Sequence, residues 1–308
     1  MTKSSAPGKI ILFGEHAVVY RRPALAVPVT QVHADVEVFD SAGSGIWIDA
    51  PDIDLHAELN TLSSDHPIAS VIHNFLFLAR VSPFPNLVIN INSTIPVASG
   101  LGSGAAVTVA LTRALASHLN APMTEAEVNA FTYEIEKLYH GTPSGIDNTV
   151  VTYAQPVYFV KGQPMELFKV GEPFTIVIAD TGISAPTKES VGDVRKLWEE
   201  DQQKWGAVFD EIGEIVDQAR EAIESGEREI LGPLMNKNHS LLRELTVSSP
   251  ELDRLVETAC QAGARGAKLS GGGRGGNMIA LVTSEEAENI ASTLRAVGAT
   301  HTIITQVS

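Results

Sequence analysis

The sequence predicts an α+β protein built as two domains. Three observations carry the prediction. The chain has 308 residues, and at roughly 100–200 residues per domain that length gives two domains or one large one. Strand-like and helix-like segments do not alternate strictly, which argues against a doubly wound parallel sheet. The end of the chain reads helix, glycine loop, strand, helix, strand, an order that suits a small mixed second domain.

Taken in order, the first element is an apolar stretch within residues 9–20, Lys9-Ile10-Ile11-Leu12-Phe13-Gly14, with Glu15 and His16 directly behind it. Val32-His33-Ala34-Asp35-Val36-Glu37-Val38 then alternates with period two, the mark of a strand with one buried face. Across residues 65–80 the apolar positions Ile68, Val71, Ile72, Phe75 and Leu76 recur at helical spacing. A strand over 87–92 follows, ending at Pro96. Residues 103–119 are rich in Ala, Val and Leu with few breakers, which predicts a buried helix opened by a glycine-serine loop. Thr124 and Glu127 have capping-box spacing for a helix reaching Tyr139. Short strands at 157–160 and 174–179 precede a long charged helical region over 188–225, then helices over 231–245 and 249–262. A strand over 277–282, a helix over 285–297 and a strand over 301–307 close the chain.

Composition excludes several classes of protein. With 44% apolar residues the core needs no metal or disulfide, and the single Cys260 cannot form an internal disulfide. The charge balance, 22 basic against 37 acidic residues for a net −15, repels phosphate backbones and anionic lipid. We therefore expect no nucleic-acid partner and no membrane partner. The uncharged run over 81–112 is long enough to cross a bilayer, but Pro83, Pro85, Pro96, Asn86, Asn90 and Asn92 would be costly in hydrocarbon. No apolar leader precedes Pro7-Gly8-Lys9, so a cytoplasmic enzyme is expected. Self-association into a homodimer is neither required nor forbidden by the charge.

Two glycine clusters dominate: Ser99-Gly100-Leu101-Gly102-Ser103-Gly104-Ala105 and Ser270-Gly271-Gly272-Gly273-Arg274-Gly275-Gly276. Neither has the strand-loop-helix-strand context of a dinucleotide fingerprint, and a Walker A sequence is absent. The first opens a helix, where unpaired N–H groups favour an anion such as a nucleotide phosphate; a tight turn packed on a sheet is the plainer alternative. The second has five glycines in six positions, a large ordering cost that points to a backbone needing close approach. Lys9, Glu15 and His16 bracket an apolar segment and suit a site for an acidic substrate, although each alone would pass for a solvated edge residue. Glu136 and Asp147 flank a stiff loop and offer a metal ligand and a base. The plainer readings are a solvent-facing helix charge for Glu136 and a helix N-cap for Asp147.

Four segments together resemble the motifs of the GHMP kinase superfamily, and within it those of the mevalonate kinases. They are residues 7–20, 96–106, 140–148 and 268–276, in the family order. The resemblance implies an N-terminal domain of the ribosomal-protein-S5 domain-2 type over residues 1–170 and a ferredoxin-like domain over 171–308, with the active site in the cleft between them. It implies that ATP and mevalonate bind there, with Mg2+, and that the γ-phosphoryl group passes to the primary hydroxyl of mevalonate. By the same resemblance Asp147 looks like the base and Lys9 like the cation that eases proton loss. Glu15, His16 and Thr187 fall at substrate-contacting positions, and Glu136 and Ser103 at the metal. Pro96, Ala98, Ser99, Gly100, Leu101, Gly102, Ser103, Gly104 and Ala105 would hold ATP, braced by Gly271, Gly272 and Gly273. Two positions depart from the family pattern. Gly104 stands where many relatives have a second serine, and Arg274 interrupts a loop of small residues, where solvent or an interdomain ion pair is expected for it. A kinase for phosphomevalonate, homoserine or a sugar, a mevalonate 3-kinase, and a silent binding protein on the same scaffold are the competing readings.

Overall fold

The computed structural model describes the chain apart from Val97, Ala98, Gly141, Thr142, Ala185 and Pro186, and apart from the side chains of His140, Thr187 and Lys188. The expected nucleotide contact at Ala98 therefore lies outside the described residues, as does the Thr187 side chain. The chain forms two compact units: Met1–Gly8, Val32–Val97 and Leu101–Ala154 make the first, and Lys9–Gln31, Ala98–Gly100 and Gln155–Ser308 the second. The long strands β1 (Thr2–Phe13) and β2 (Pro23–Asp40) contribute residues to both.

In the first unit they are followed by β3 (Ile46–Ala50), β4 (Leu55–Glu58), α1 (Pro67–Leu78), β5 (Leu87–Ser93), α2 (Ser103–His118), α3 (Glu125–His140) and α4 (Ile146–Tyr153). The second half of β2 pairs antiparallel with β5, setting Val36 opposite Ile91 and Val38 opposite Ile89. β5 in turn pairs in parallel with β3, and β3 antiparallel with β4. Val32, Ala34, Val36 and Val38 are buried while the charged residues between them are not, so the period-two reading holds. α2 is the central helix. Ala105, Ala106, Val109, Ala110, Leu111, Ala114 and Leu115 are all buried, and the helix packs against α1, α3, α4 and β5. The capping box before α3 forms in both directions: the Thr124 N–H donates to Glu127 Oε2 at 2.7 Å and the Glu127 N–H to Thr124 Oγ1 at 3.3 Å.

The second unit holds β6 (Val157–Val160), β7 (Glu166–Leu167), β8 (Phe174–Asp180), α5 (Thr187–Glu200), α6 (Gln202–Ser225), α7 (Arg228–Glu244), α8 (Pro250–Gln261), β9 (Gly266–Leu269), β10 (Asn277–Val282), α9 (Ala287–Ala296) and β11 (His301–Val307). Its four-stranded sheet runs β11-β8-β10-β9 with every pair antiparallel. With its helices after β8 and β10 this is the split βαβ arrangement of ferredoxin-like domains. Every residue of β10 is buried, so its unbroken apolar run marks a central strand. The charged helical region expected over 188–225 consists of two helices: Asp201 separates them and caps α6, accepting from the Lys204 N–H at 2.9 Å.

The β9–β10 hairpin places the second glycine cluster as its connection. Gly273 sits at φ +74, and a Cβ there would lie 1.9 Å from the Val247 carbonyl oxygen. No side chain fits without moving backbone. Gly273→Ala is expected to lower unfolding stability by about 1–3 kcal/mol or more, read as a drop in urea midpoint at unchanged slope; an unshifted midpoint would show that the loop yields freely.

Candidate active site

In the second unit, β1 ends at Phe13 and the chain turns through Gly14, Glu15 and His16 into a short 3-10 turn, Ala17–Tyr20. Lys9 lies buried on the strand. Glu15 is 2% exposed and His16 5%, so neither is the solvated edge residue that isolated charges suggest. The reason is Lys268 on β9, whose side chain is fully enclosed. Its ammonium donates to Glu15 Oε1 and, at 2.7 Å, to the Leu269 carbonyl. Burial pushes the Glu15 carboxyl up and the Lys268 ammonium down from their ordinary ranges, and the attraction between them opposes both displacements.

His16 donates from Nε2 to the Gly272 carbonyl at 3.0 Å. Its Nδ1 is buried without a hydrogen-bond partner, and burial lowers its pKa to about 4, so the ring is neutral with one bare acceptor. Its backbone is left-handed, φ 62, a conformation uncommon for a residue with a side chain. Ser270 Oγ donates to the Ile11 carbonyl at 2.7 Å. Glu15, His16 and Ile11 are thus clipped to the strand and loop of residues 268–272. Ser99 and Gly100 also belong to this unit, where the Asn277 side-chain amide donates to the Ser99 carbonyl. Arg274 pairs with Asp193 on α5 at 2.6 Å. Its partner is neither solvent nor another domain, as expected from the sequence, but a carboxylate in the same unit. Lys196 and Arg274 together hold Asp193 at about 2.

The first unit carries the other expected residues. Pro96 is half-buried, and the Leu101 side chain is buried in the core. Gly102, at φ 76, is the N-cap of α2 and Ser103 its first residue, so the N–H groups around Ser103, Gly104 and Ala105 open the helix. Space around Gly104 is free: a Cβ there would meet nothing within 4 Å. Glu136, on α3, is 8% exposed, which removes the solvent-facing reading. Asp147 lies in the first turn of α4 behind an N-cap supplied by Gly145, so it is not itself the cap. Helix α4 was hidden by the turn residues before it. Lys268 stands in the sequence only as the first residue of the segment 268–276, with nothing there to name Glu15 as its partner.

The GHMP kinases N terminal domain model matches residues 68–155 and the GHMP kinases C terminal model residues 219–300. The mevalonate kinase of Pyrococcus abyssi is 37% identical, covering 99% of this chain and 95% of its own. The chain belongs to the GHMP kinase family. It is an ATP-dependent kinase by that membership, and its two-domain fold is the family's. Among solved structures, L. major mevalonate kinase in complex with R-mevalonate superposes with a TM-score of 0.88 at 31% identity, covering 100% of this chain and 96% of that one. The Methanococcus jannaschii mevalonate kinase gives 0.86 at 27% identity, with 99% and 96% covered.

Lys268→Met strands the Glu15 carboxylate in the interior and is expected to cost about 3–5 kcal/mol, with Glu15→Gln/Lys268→Met recovering most of it; denaturant melts of the three variants check this. Burial also lowers His239 to about 4, and its Nδ1 accepts from the Leu269 N–H at 3.3 Å. The unfolded chain therefore binds more protons between about pH 6.5 and 4, and stability falls as pH drops through that window. His239→Gln should flatten the fall, measured as urea midpoint against pH.

Proposed function

We propose that this kinase transfers the γ-phosphoryl group of ATP to the primary hydroxyl of mevalonate, giving 5-phosphomevalonate and ADP. One observation carries the reading: similarity to mevalonate kinases runs over 99% of the chain; the roles of Lys9, Glu15, His16, Glu136 and Asp147 follow the family resemblance of the sequence. In this proposal residues 1–170 bind ATP and substrate, and residues 171–308 form the ferredoxin-like domain that braces the phosphate loop through Gly271, Gly272 and Gly273.

Phosphoryl transfer asks chiefly for in-line positioning and for neutralisation of charge on the equatorial oxygens. Backbone N–H groups at the start of α2, from Gly102 to Ala105, supply fixed donors for the phosphates without reorganisation. The donor chemistry also fits magnesium. Glu136 offers a buried carboxylate and Ser103 a hydroxyl, both hard oxygen ligands, and magnesium characteristically takes one or two protein ligands with the rest from phosphate and water. The described residues hold no cluster of three His, Cys, Asp or Glu side chains, in keeping with a metal brought by the nucleotide. When bound, magnesium would supply positive charge to offset that of the phosphates. Asp147 accepts the proton of the attacking hydroxyl. Lys9 lowers that hydroxyl's pKa and steadies the moving phosphoryl group. Glu15, His16 and Thr187 bind mevalonate, with the bare Nδ1 of the neutral His16 ring serving as an acceptor for a substrate hydroxyl.

Among the described residues no helix is long and apolar enough to cross a membrane, and a cytoplasmic place for the reaction belongs to the same proposal. An ADP-release assay with mevalonate, phosphomevalonate, homoserine and galactose tests it: turnover with mevalonate is the expected result, and turnover confined to another acceptor refutes the assignment. Asp147→Asn should lower kcat by about 10²–10⁴-fold while leaving ATP affinity by calorimetry near that of the parent; near-normal ADP release from that variant removes Asp147 from the role.

A further inference from the structure

The carboxylate assigned as the base sits on an eight-residue helix, α4. A helix this short has little stability of its own, so the position of Asp147 depends on what α4 docks against. Apolar burial of Ile146, Val150 and Val151 holds the helix in place but is non-directional. It does not fix rotation about the helix axis or a shift along it. Hydrogen bonds do.

At the far end of α4, Arg113 on α2 donates to the Thr152 carbonyl at 2.6 Å; next to Asp147, the bonds meet on one residue of α3. Asn148 donates from Nδ2 to Asn129 Oδ1 at 2.6 Å and to the Asn129 carbonyl at 3.4 Å. Thr149 Oγ1 donates to the same Asn129 Oδ1 at 3.3 Å. Asn148 is 3% exposed and Thr149 2%, so neither donor has water as a substitute. Two acceptors on one residue also fix the Asn148 amide, since a flipped amide would set oxygen against oxygen. The amide oxygen of Asn129 thereby grips the two residues that directly follow Asp147. Seven residues further along α3 is Glu136, on the same helical face. The face of α3 that holds the base-bearing helix is the face that presents the metal-binding carboxylate.

We propose that Asn129 is a positioning residue for phosphoryl transfer, setting Asp147 in register with Glu136 through Asn148 and Thr149. The proposal rests on the reading of Asp147 as the base. Asn129→Leu removes the shared acceptor and should lower kcat by about 10- to 100-fold, the scale on which small misplacements act, with KM for ATP within about threefold. Asn129→Asp keeps oxygen acceptors for both donors and should stay within about fivefold of the parent kcat. In an Asp147→Asn background, Asn129→Leu should change kcat less than about twofold, because residues acting as a unit are not additive. Thr149→Val deletes one bond with the shape preserved. It gives the same test, with a smaller loss, should Asn129→Leu not fold.

An equal loss from the Asn129 or Thr149 change in both backgrounds overturns the positioning role, as does an Asp variant as damaged as the Leu one. Either result leaves Asp147 as the base. Near-normal turnover by Asp147→Asn alone refutes the base assignment and takes the positioning role with it.

Discussion

A fully enclosed ammonium cannot stand without a counter-charge, and the second unit is organised by that constraint at Lys268. Taking a lone cation from water costs several kcal/mol even after relaxation. Glu15 and the Leu269 carbonyl offset it here. Because Glu15 lies just past the end of β1 and Lys268 on β9, the pair joins sequence positions 253 residues apart. His16 to Gly272 and Ser270 to Ile11 complete the seam. The segment assigned to substrate and the glycine hairpin are therefore one structure, and the chemistry assigned to either relies on the other.

Much of the fold was legible where periodicity is strong. The alternation Val32 to Val38 gives the buried face of β2, the Ala-rich run gives α2, and the capping box before α3 forms as its spacing requires. The readings fell short where the local signal is brief or contrary. β9 has four residues, all buried, too few to show a period. β3 and β4 are short strands, and the pairing of β3 with distant β5 is settled by tertiary contact. α4 follows Pro143 and Gly145, which read as loop, and the break at Asp201 depends on a single side chain.

The candidate site divides in the same way. Motifs name the residues proposed to meet ligands, since backbone approach and charge demand particular residue types at fixed spacing. They do not name the residues behind them. Lys268 and Asn129 work through partners more than a hundred and nearly twenty positions away, and neither a lysine in a short apolar segment nor an asparagine on a polar helix announces that work. Arg274 taught the converse. Its place in a glycine loop suggested solvent or an interdomain ion pair, and it serves instead to tie the hairpin to α5.

The left-handed backbone of His16 carries one more implication. A side-chain-bearing residue held at φ 62 is expected to cost on the order of 1–3 kcal/mol, and the opposing hydrogen bond to Gly272 secures it. Residues 9–20 and 268–276 are in that sense two halves of a cocked latch. Neither half is a transferable cassette: a chimera that takes one from a relative and keeps the other inherits the tension without the catch, so these segments must be exchanged together.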